Sequence, residues 1–240
     1  MITDKQRYDR YLFPHFKEKS IKKITPSDCK TIIDEVKSQG KGKTADELYS
    51  ILSVIFKSAI AHGIIDRSPL ATVQHIQHER ESGKALTREE EQTLFTKINA
   101  LNEPNTSVAI ALALYCGLRP NELKTAKIQG DFIIAENSKR HNKKTEYKRI
   151  PIIDYLRPFL KDGIPKLPTP QILRRRFSAA LPNHKLYDLR TTFYTRCQEY
   201  GVSDRARDHF VGHATGRLES TYTDLSDEYL LEEGKKLNKW

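Results

Sequence analysis

The chain has 240 residues and a formal net charge of +10, because 41 lysines and arginines outnumber 31 acidic residues. Charged residues make up 30% and apolar residues 38%, a globular composition in which no apolar run approaches the ~20 residues of a membrane-spanning helix. The polar N-terminus shows no secretory signal, and three scattered cysteines (Cys29, Cys116 and Cys197) predict no disulfide framework. The positive charge favours a polyanionic partner, nucleic acid ahead of an anionic membrane surface.

The first 80 residues predict a bundle of about four short amphipathic helices. A helix is predicted over 3–12, ending near Pro14. The run Thr25–Asp28 combines a cap residue with a first-turn proline and opens a second helix. A capping box at Thr44–Glu47 predicts the start of a third helix, and Ser68-Pro69 the start of a fourth. The predicted apolar stripe of the third helix comprises Leu48, Ile51, Leu52, Ile55, Ala59 and Ile60.

Two polar segments flank the third and fourth helices. The first carries Lys41 and Lys43, which are candidate contacts to DNA phosphates or else part of a solvated loop. The second, over 77–86, lacks periodicity and predicts an interdomain linker, which we place at 81–86. The sequence therefore predicts one domain over 1–80 and another over 87–240.

The second domain opens with a capping box at Thr87–Glu90. The apolar run Val108–Cys116 predicts a buried helix that Gly117 ends. Two apolar segments, 132–135 and 149–153, flank a polar stretch and predict a small antiparallel sheet with a long basic hairpin loop. Further helices are predicted to begin at Asp154, Thr169, Asp188 and Ser203, and a tail helix at about 225–240.

Basic residues mark two candidate sites in this domain. Arg119 follows the buried helix at a point where a new helix is predicted to begin, so that backbone amides would share an anion with it; a surface arginine is the alternative. The hairpin loop would follow a DNA groove or backbone, with a solvated loop as the alternative. Its basic run comprises Lys139, Arg140, Lys143, Lys144, Lys148 and Arg149.

Three residues further along complete a set with a common chemistry. Arg190 lies near a predicted helix start, His213 follows a short helix, and Tyr222 lies nine residues after His213. Arginine forks neutralise the extra charge of a phosphodiester transition state. A tyrosine hydroxyl attacks phosphorus, and a lysine protonates the departing sugar oxygen.

These motifs, in this order, resemble those of the tyrosine recombinase (phage integrase) family over nearly the whole chain. The first-arginine box of the family matches Gly117–Leu123, and its catalytic lysine matches Ser138-Lys139. Its second-arginine box matches Asp188–Phe193, and its histidine and nucleophile match Gly212-His213 and Tyr222.

The resemblance implies a mainly α-helical fold with a small antiparallel β-sheet, arranged as a two-domain C-shaped clamp. Residues 1–80 would form the helical core-type DNA-binding domain and 87–240 the α+β catalytic domain of the DNA breaking-rejoining type. The implied activity is site-specific recombination for integration or excision of a phage or mobile element. Neither a metal nor another cofactor is implied.

The resemblance also implies a role for each matched residue. Tyr222 would be the nucleophile that forms a 3′-phosphotyrosine, and Lys139 would be the general acid. Arg119, Arg190 and His213 would bind the scissile phosphate.

The implied partners are double-stranded DNA at attachment sites and three further copies of the chain. The tail would dock onto a neighbouring protomer, with packing in cis as the alternative. DNA-bending accessory proteins and a cytoplasmic location in a prokaryotic cell complete the expectation. The tail contacts would come from Leu230, Leu231, Leu237 and Trp240.

The chain departs from the family pattern at two places. Tyr187 occupies the position that usually holds histidine, and phenol is a poor base near neutral pH. His184, three residues upstream, is a weak candidate substitute. No arm-type DNA-binding domain is recognisable before the first helix, which leaves open both a two-domain chain and a truncated one.

Three other functions stay open at this stage. A catalytically impaired DNA-binding regulator of the same fold is suggested by Tyr187. A type IB topoisomerase shares the chemistry but is less consistent with the small size of the chain. A metal-dependent nuclease has little support, since no carboxylates cluster with the spacing of metal ligands.

Overall fold

A computed structural model of the chain describes residues 3–75, 78, 82–138, 145–213 and 225–240. The chain divides into two compact units, Met1–Glu81 and Ser82–Trp240. Each unit has a hydrophobic core of its own. None of the helices within these described ranges is long and apolar enough to cross a membrane.

The first unit is helical. The helix cap predicted at Thr25 is confirmed: the Thr25 hydroxyl accepts the Asp28 N–H at 3.2 Å, and the Asp28 carboxylate accepts the Thr25 N–H at 2.7 Å. The elements are α1 (Asp4–Arg7), a π-helical turn (Tyr8–Leu12), α2 (Phe13–Phe16), α3 (Pro26–Ser38), α4 (Gly42–Ala61) and a 3₁₀ turn (Pro69–Thr72).

The sequence predicted that the first helix ends near Pro14, but the helical stretch continues past this residue to Phe16. Helix α1, the π turn and α2 run head to tail, and the Phe13 N–H donates to the Tyr8 carbonyl five residues back. After this wider turn a new α-helix begins at Phe13, the residue before Pro14. The proline therefore lies in a first turn, where a missing N–H is tolerated.

Helix α4 begins at Gly42, before the predicted capping box at Thr44–Glu47. The Asp46 carboxylate is engaged elsewhere: it lies 3.1 Å from Nε2 of His75 and accepts the His78 N–H at 2.7 Å. Gly42 lies against His78, where a Cβ atom would be 2.5 Å from Nδ1. Tertiary contacts, which no local pattern encodes, therefore decide where α4 starts.

The buried face of α4 also differs from the predicted stripe. Ile51 and Ile55 are only half-buried and Ile60 is exposed, because the stripe follows the 3.6-residue period through Phe56. The buried residues of α4 are Gly42, Ala45, Leu48, Leu52, Phe56 and Ala59.

The second unit is mainly helical with one small sheet, as predicted. The strands are antiparallel in the order β1-β2-β3, and Ile133 of β2 pairs with Ile128 of β1 and Ile150 of β3. The elements are α5 (Arg88–Asn99), α6 (Pro104–Tyr115), β1 (Lys127–Gln129), β2 (Phe132–Glu136), β3 (Tyr147–Pro151), α7 (Pro170–Ala180), α8 (Asp188–Glu199), α9 (Asp204–Val211) and α10 (Asp227–Lys235).

Helix α6 is the central element of this unit. Every residue from Thr106 to Tyr115 is buried, as expected for an almost wholly apolar segment, and α6 packs against α8. The chain turns at Gly117 with a φ of 60°, and a Cβ atom there would lie 2.6 Å from the Phe193 ring. Glycine thus lets the segment that carries Arg119 lie directly on α8.

Two predicted helices are absent from the described part of this unit. A 3₁₀ turn at Leu123–Thr125 follows Arg119 and leads into β1, so no α-helix begins there. A 3₁₀ turn at Arg157–Leu160 replaces the helix predicted from Asp154. Pro158 has no N–H to donate to the Asp154 carbonyl, which removes an α-helical hydrogen bond at that point.

The tail packs on its own unit. Leu230, Leu237 and Trp240 are buried in the same core as α6, and Leu231 is partly buried against it. The Trp240 indole N–H donates to Oε2 of Glu91 at 2.7 Å. A single chain thus shows the tail in cis, and docking onto a neighbouring protomer stays a prediction.

Candidate active site

Arg119 is buried, with 6% of its surface exposed, in the turn between α6 and β1. Its backbone N–H donates to Oε2 of Glu122 at 2.9 Å, and its Nη1 donates to Oε1 at 2.7 Å. The predicted sharing of an anion with helix amides is therefore wrong, because the local N–H is already bonded to Glu122. Nε and Nη2 of Arg119 are buried, and neither has a hydrogen-bond partner among the residues that the structure describes. A buried donor edge left open in this way is costly until an acceptor binds it.

The Glu122 carboxylate binds several groups around Arg119. It is 1% exposed, and its Oε1 also accepts the backbone N–H and the hydroxyl of Ser138, each at 3.1 Å. The Lys148 ammonium donates to Oε2. Burial by itself would raise the pKa of Glu122, but the charge and hydrogen bond of Lys148 and the bonds from Arg119 lower it to about 2. Glu122 is thus ionised at neutral pH.

Arg190 lies in the first turn of α8 and is also buried. Its Nη1 donates to the Gly117 carbonyl at 2.8 Å, and its Nη2 donates to the Val211 carbonyl at 2.6 Å. The guanidinium therefore joins the end of the α6 segment to the end of α9. Burial lowers the pKa of Arg190, and the positive charge of Arg119 lowers it further, which shows that the two arginines are neighbours.

His213 follows α9 and lies beside the same two arginines. Gly212 ends the helix in the left-handed conformation with a φ of 66°. Burial lowers the pKa of His213, and the charges of Arg190 and Arg119 lower it further, although Asp208 opposes them from 3.5 Å. At neutral pH the imidazole is therefore uncharged.

Tyr187 and His184 differ sharply in their surroundings. Tyr187 precedes α8, is 45% exposed, and hydrogen-bonds to Arg190, which counteracts the lowering of the arginine pKa. His184 is buried, with Nε2 3.0 Å from Glu90 and Nδ1 3.2 Å from Asp188. Both of its nitrogens contact carboxylates, so His184 is a link between α5 and α8 and Tyr187 is the residue at the arginine pair.

The structure thus brings together Arg119, His213 and the neighbouring residues Tyr187 and Arg190 from three separate parts of the sequence. The other predicted catalytic residues, Tyr222 and Lys139, lie outside the described residues, as do the predicted DNA contacts Arg140, Lys143 and Lys144.

Lys41 and Lys43, the remaining predicted DNA contacts, belong to the first unit and are exposed at the start of α4. Lys41 donates to Oε1 of Gln39 at 2.7 Å, and its ammonium lies 5.8 Å from the centre of the Tyr11 ring.

Lys148 was predicted in the basic loop but is a strand residue, whereas Arg149 lies in a strand as predicted. Lys148 and Ile150 are two positions apart in β3 and both point into the core, so the lysine occupies an inward position. Arg149 faces the other way, pairs with Asp227 and lies 4.7 Å from the centre of the Phe132 ring. The spacing of two residues between Lys148 and Ile150 indicates that both side chains lie on the same face of a strand. The many basic residues around Lys148 favoured a loop instead.

Glu122 and Asn137 are two further site residues that motif reading missed. Asn137 accepts from Nη1 of Arg119 at 3.2 Å and donates to the Gly212 carbonyl at 3.1 Å. It therefore connects the first arginine to the segment that carries His213.

Comparison with known families gives a partial sequence match. Residues 3–75 match the family model of the phage integrase central domain. No curated protein matches the sequence of the chain.

Comparison with solved structures covers almost the whole chain. A lambda integrase dimer bound to a COC′ core site matches with a TM-score of 0.74 and 19% identity, over 93% of this chain and 90% of that chain. A lambda integrase tetramer bound to a Holliday junction matches with a TM-score of 0.74 and 20% identity, over 92% and 70%. The Tn1549 transposon integrase in complex with circular intermediate DNA gives 0.62 and 18%, over 89% and 86%.

The fold is that of these integrases. The match to the family model of the phage integrase central domain lies within the first unit.

Proposed function

We propose that this protein is a site-specific DNA recombinase that cleaves and rejoins strands through a 3′-phosphotyrosine, without metal or ATP. The observation that carries the proposal is the open edge of Arg119, which is buried beside Arg190 and uncharged His213. A phosphodiester supplies the missing acceptor for that edge. The likeness to integrases solved on DNA supports a DNA phosphate over a small anion.

The proposed chemistry uses two transfers at one phosphorus. The Tyr222 oxygen attacks phosphorus while its proton passes to solvent, the bond from phosphorus to the 5′-oxygen breaks, and Lys139 protonates the departing oxygen. Arg119 and Arg190 neutralise the charge that develops on the non-bridging oxygens, and His213 donates a hydrogen bond to the same phosphate. A 5′-hydroxyl from a partner strand then attacks and gives its proton to Lys139. The bond from phosphorus to the Tyr222 oxygen breaks, this oxygen takes up a proton from solvent, and a phosphodiester is restored.

The remaining expectations belong to the same proposal. Residues 1–80 would act as the core-type DNA-binding domain, and 87–240 as the catalytic domain, in a clamp around duplex DNA. Four protomers would act on two attachment sites of a phage or mobile element in a prokaryotic cytoplasm, with tail exchange and DNA-bending proteins assisting. Phosphate contacts would come from Lys41, Lys43, Arg140, Lys143 and Lys144.

The test is covalent trapping on a DNA site that the protein itself selects. A random duplex pool is enriched for binding with the Tyr222→Phe chain, and the selected sequence is rebuilt as a nicked suicide substrate. Wild type is expected to form an adduct that resists denaturant in the presence of a metal chelator, and Tyr222→Phe none. Tyr155→Phe, which removes the hydroxyl of another exposed tyrosine, is the matched control and should form the adduct.

Each failure has its own meaning. If no duplex is enriched, the DNA-binding part of the proposal is wrong. If a duplex is enriched but wild type forms no adduct, the chain is a DNA-binding regulator of this fold. The Tyr187→His variant then decides whether the residue at the usual histidine position is the cause.

A further inference from the structure

Lys148 is a fully buried lysine that the proposed chemistry does not use. It is 2% exposed in the middle of the second unit, and its ammonium donates to Oε2 of Glu122. Lysine is almost never buried to this extent unless a specific partner holds it. Glu122 is the same carboxylate that holds the backbone and the guanidinium of Arg119.

Two cations therefore share one carboxylate. If Lys148 were absent, the single negative charge of Glu122 would compensate the single positive charge of Arg119. With Lys148 present, the group of three carries a net positive charge, next to the further positive charge of Arg190. The open Nε and Nη2 edge of Arg119 lies in that group.

Lys148 also supports the segment that carries His213. A Cβ atom on Gly212 would lie 2.7 Å from Cδ of Lys148 and 2.7 Å from Nδ2 of Asn137. The lysine stem thus packs directly under Gly212 while its ammonium binds Glu122. One side chain touches both the support of Arg119 and the residue next to His213.

We propose that Lys148 is a positioning residue of the anion site: it shares Glu122 with Arg119, so that the Arg119 edge stays both fixed and net positive toward a bound phosphate. The proposal deepens the proposed function and rests on it only in naming the anion as a DNA phosphate.

Protonation of Lys148 should then control anion binding. Burial lowers the pKa of Lys148, and the attraction of Glu122 only partly opposes this, so that the pKa is about 8. Loss of the proton leaves Glu122 to compensate Arg119 alone, so anion affinity falls as the pH rises through that value. The titratable or charged groups that act on Lys148 are Glu122, Arg119, Arg190 and, from the end of α6, Cys116.

The test measures sulfate binding by the full chain, without DNA and without cleavage. Sulfate keeps the same charge between pH 6.5 and 9.5. Its binding is followed by NMR at the Arg119 Nε–H, which is assigned from its loss in Arg119→Lys. Lys148→Met is compared with Lys127→Met, which removes an exposed lysine of the same sheet.

Wild type and Lys127→Met are expected to bind sulfate alike near neutral pH and to lose affinity as the pH rises above about 8. Lys148→Met should bind on the order of tenfold more weakly near neutral pH and show no loss above it. A merely structural lysine would not produce the pH difference. Equal affinity in Lys148→Met and Lys127→Met overturns the proposal.

If Lys148→Met does not fold, the wild-type pH series decides, because a flat sulfate affinity from pH 6.5 to 9.5 also overturns the proposal. The result is independent of the phosphotyrosine chemistry. Loss of sulfate affinity in Lys148→Met supports the inference even if wild type forms no DNA adduct, and an adduct with unchanged sulfate binding refutes only the role of Lys148.

Discussion

The two units bury different kinds of residues. Within the described parts of the chain, the core of the first unit is made of apolar side chains and a cysteine, and all the buried charged and polar residues belong to the second unit. An apolar core only stabilises, whereas buried charges reduce stability unless each finds a partner. In the second unit such partners are present: Glu91 pairs with Arg196, and Glu122 pairs with both Arg119 and Lys148.

The two arginines of the second unit repeat this contrast at close range. Both terminal nitrogens of Arg190 donate to backbone carbonyls, so this side chain also holds α6 and α9 together. In the described part of the chain, two nitrogens of Arg119 have no acceptor. Arg190 therefore stabilises the fold as well as contributing to the candidate site, whereas Nε and Nη2 of Arg119 hold none of the described elements together.

The largest expected effect comes from Arg119→Met. Strand cleavage should fall by about 10²–10³-fold, as when one donor to a developing oxyanion is removed. Stability should change little, because Lys148 still pairs with Glu122. Single-turnover adduct formation and thermal unfolding measure the two effects. Arg190→Met is the comparison variant and should lose both activity and stability; equal stability losses in the two variants would contradict the division of roles.

Leu48→Ala tests how much the apolar core of the first unit contributes to its stability. Truncating this fully buried residue should cost about 2–5 kcal/mol of unfolding free energy. The second unit should not respond, and Trp240, the only tryptophan, reports on it by fluorescence during urea unfolding. Val54→Ala on the exposed side of α4 is the matched control and should stay within about 0.5 kcal/mol of wild type. A shift of the Trp240 transition in Leu48→Ala would show that the units are coupled.

Acid should reduce the stability of the second unit by protonating Glu122. Its pKa in the folded chain is about 2, below the ordinary value of 4.5, so the unfolded chain binds the proton more readily. The stability that ionised Glu122 contributes is complete above pH 4.5 and is lost as the pH falls toward 2. Glu122→Gln should reduce the dependence of the free energy of unfolding on pH in this window by about one proton. An unchanged slope in the variant would show that Glu122 is not the responsible group.

Trp240→Phe should have a smaller effect, about 1 kcal/mol, because it removes one hydrogen bond to Glu91. Glu91 keeps its contact with Arg196 at 2.8 Å, so no buried charge is left alone. Chemical denaturation measures the change. A cost above about 3 kcal/mol would mean that the ring of Trp240 holds the tail in place.

The buried thiols give the finest comparison of the two units. Burial raises the pKa of Cys29 to about 11 and that of Cys116 to about 12, so neither should react with a thiol reagent in the folded chain. Cys29 lies in the first core and Cys116 in the second. Leu48→Ala should therefore speed labelling of Cys29 alone, and faster labelling of Cys116 would contradict independent opening.

Local sequence signals predicted the parts of the fold that are decided locally. The cap residue at Thr25, the capping box at Thr87, the apolar run of α6 and the two longer strands could be predicted, because each depends on neighbours within a few residues. The start of α4 was not, since His75 and His78 set it from 29 and 32 residues away from Asp46.

The same difference between local signals and distant contacts applies to the residues of the candidate site. Arg119, Arg190 and His213 carry motifs, and the structure brings them together. Lys148 was assigned to a basic loop, because its partner Glu122 lies 26 residues earlier and its neighbours in sequence are basic. A buried charge pair is a property of two distant positions, and reading one segment at a time does not find it.

Gly212 has a consequence for anyone who redesigns this protein. Its left-handed backbone disfavours every residue with a side chain, and the space beside it is already filled by Asn137 and Lys148. Both the backbone conformation and the lack of space therefore require glycine at this position, and removing one of these constraints does not remove the other. A mutagenesis library can vary the exposed surface of α9 widely, but it should leave Gly212 unchanged, since a side chain there would collide with Asn137 and Lys148 directly beside His213.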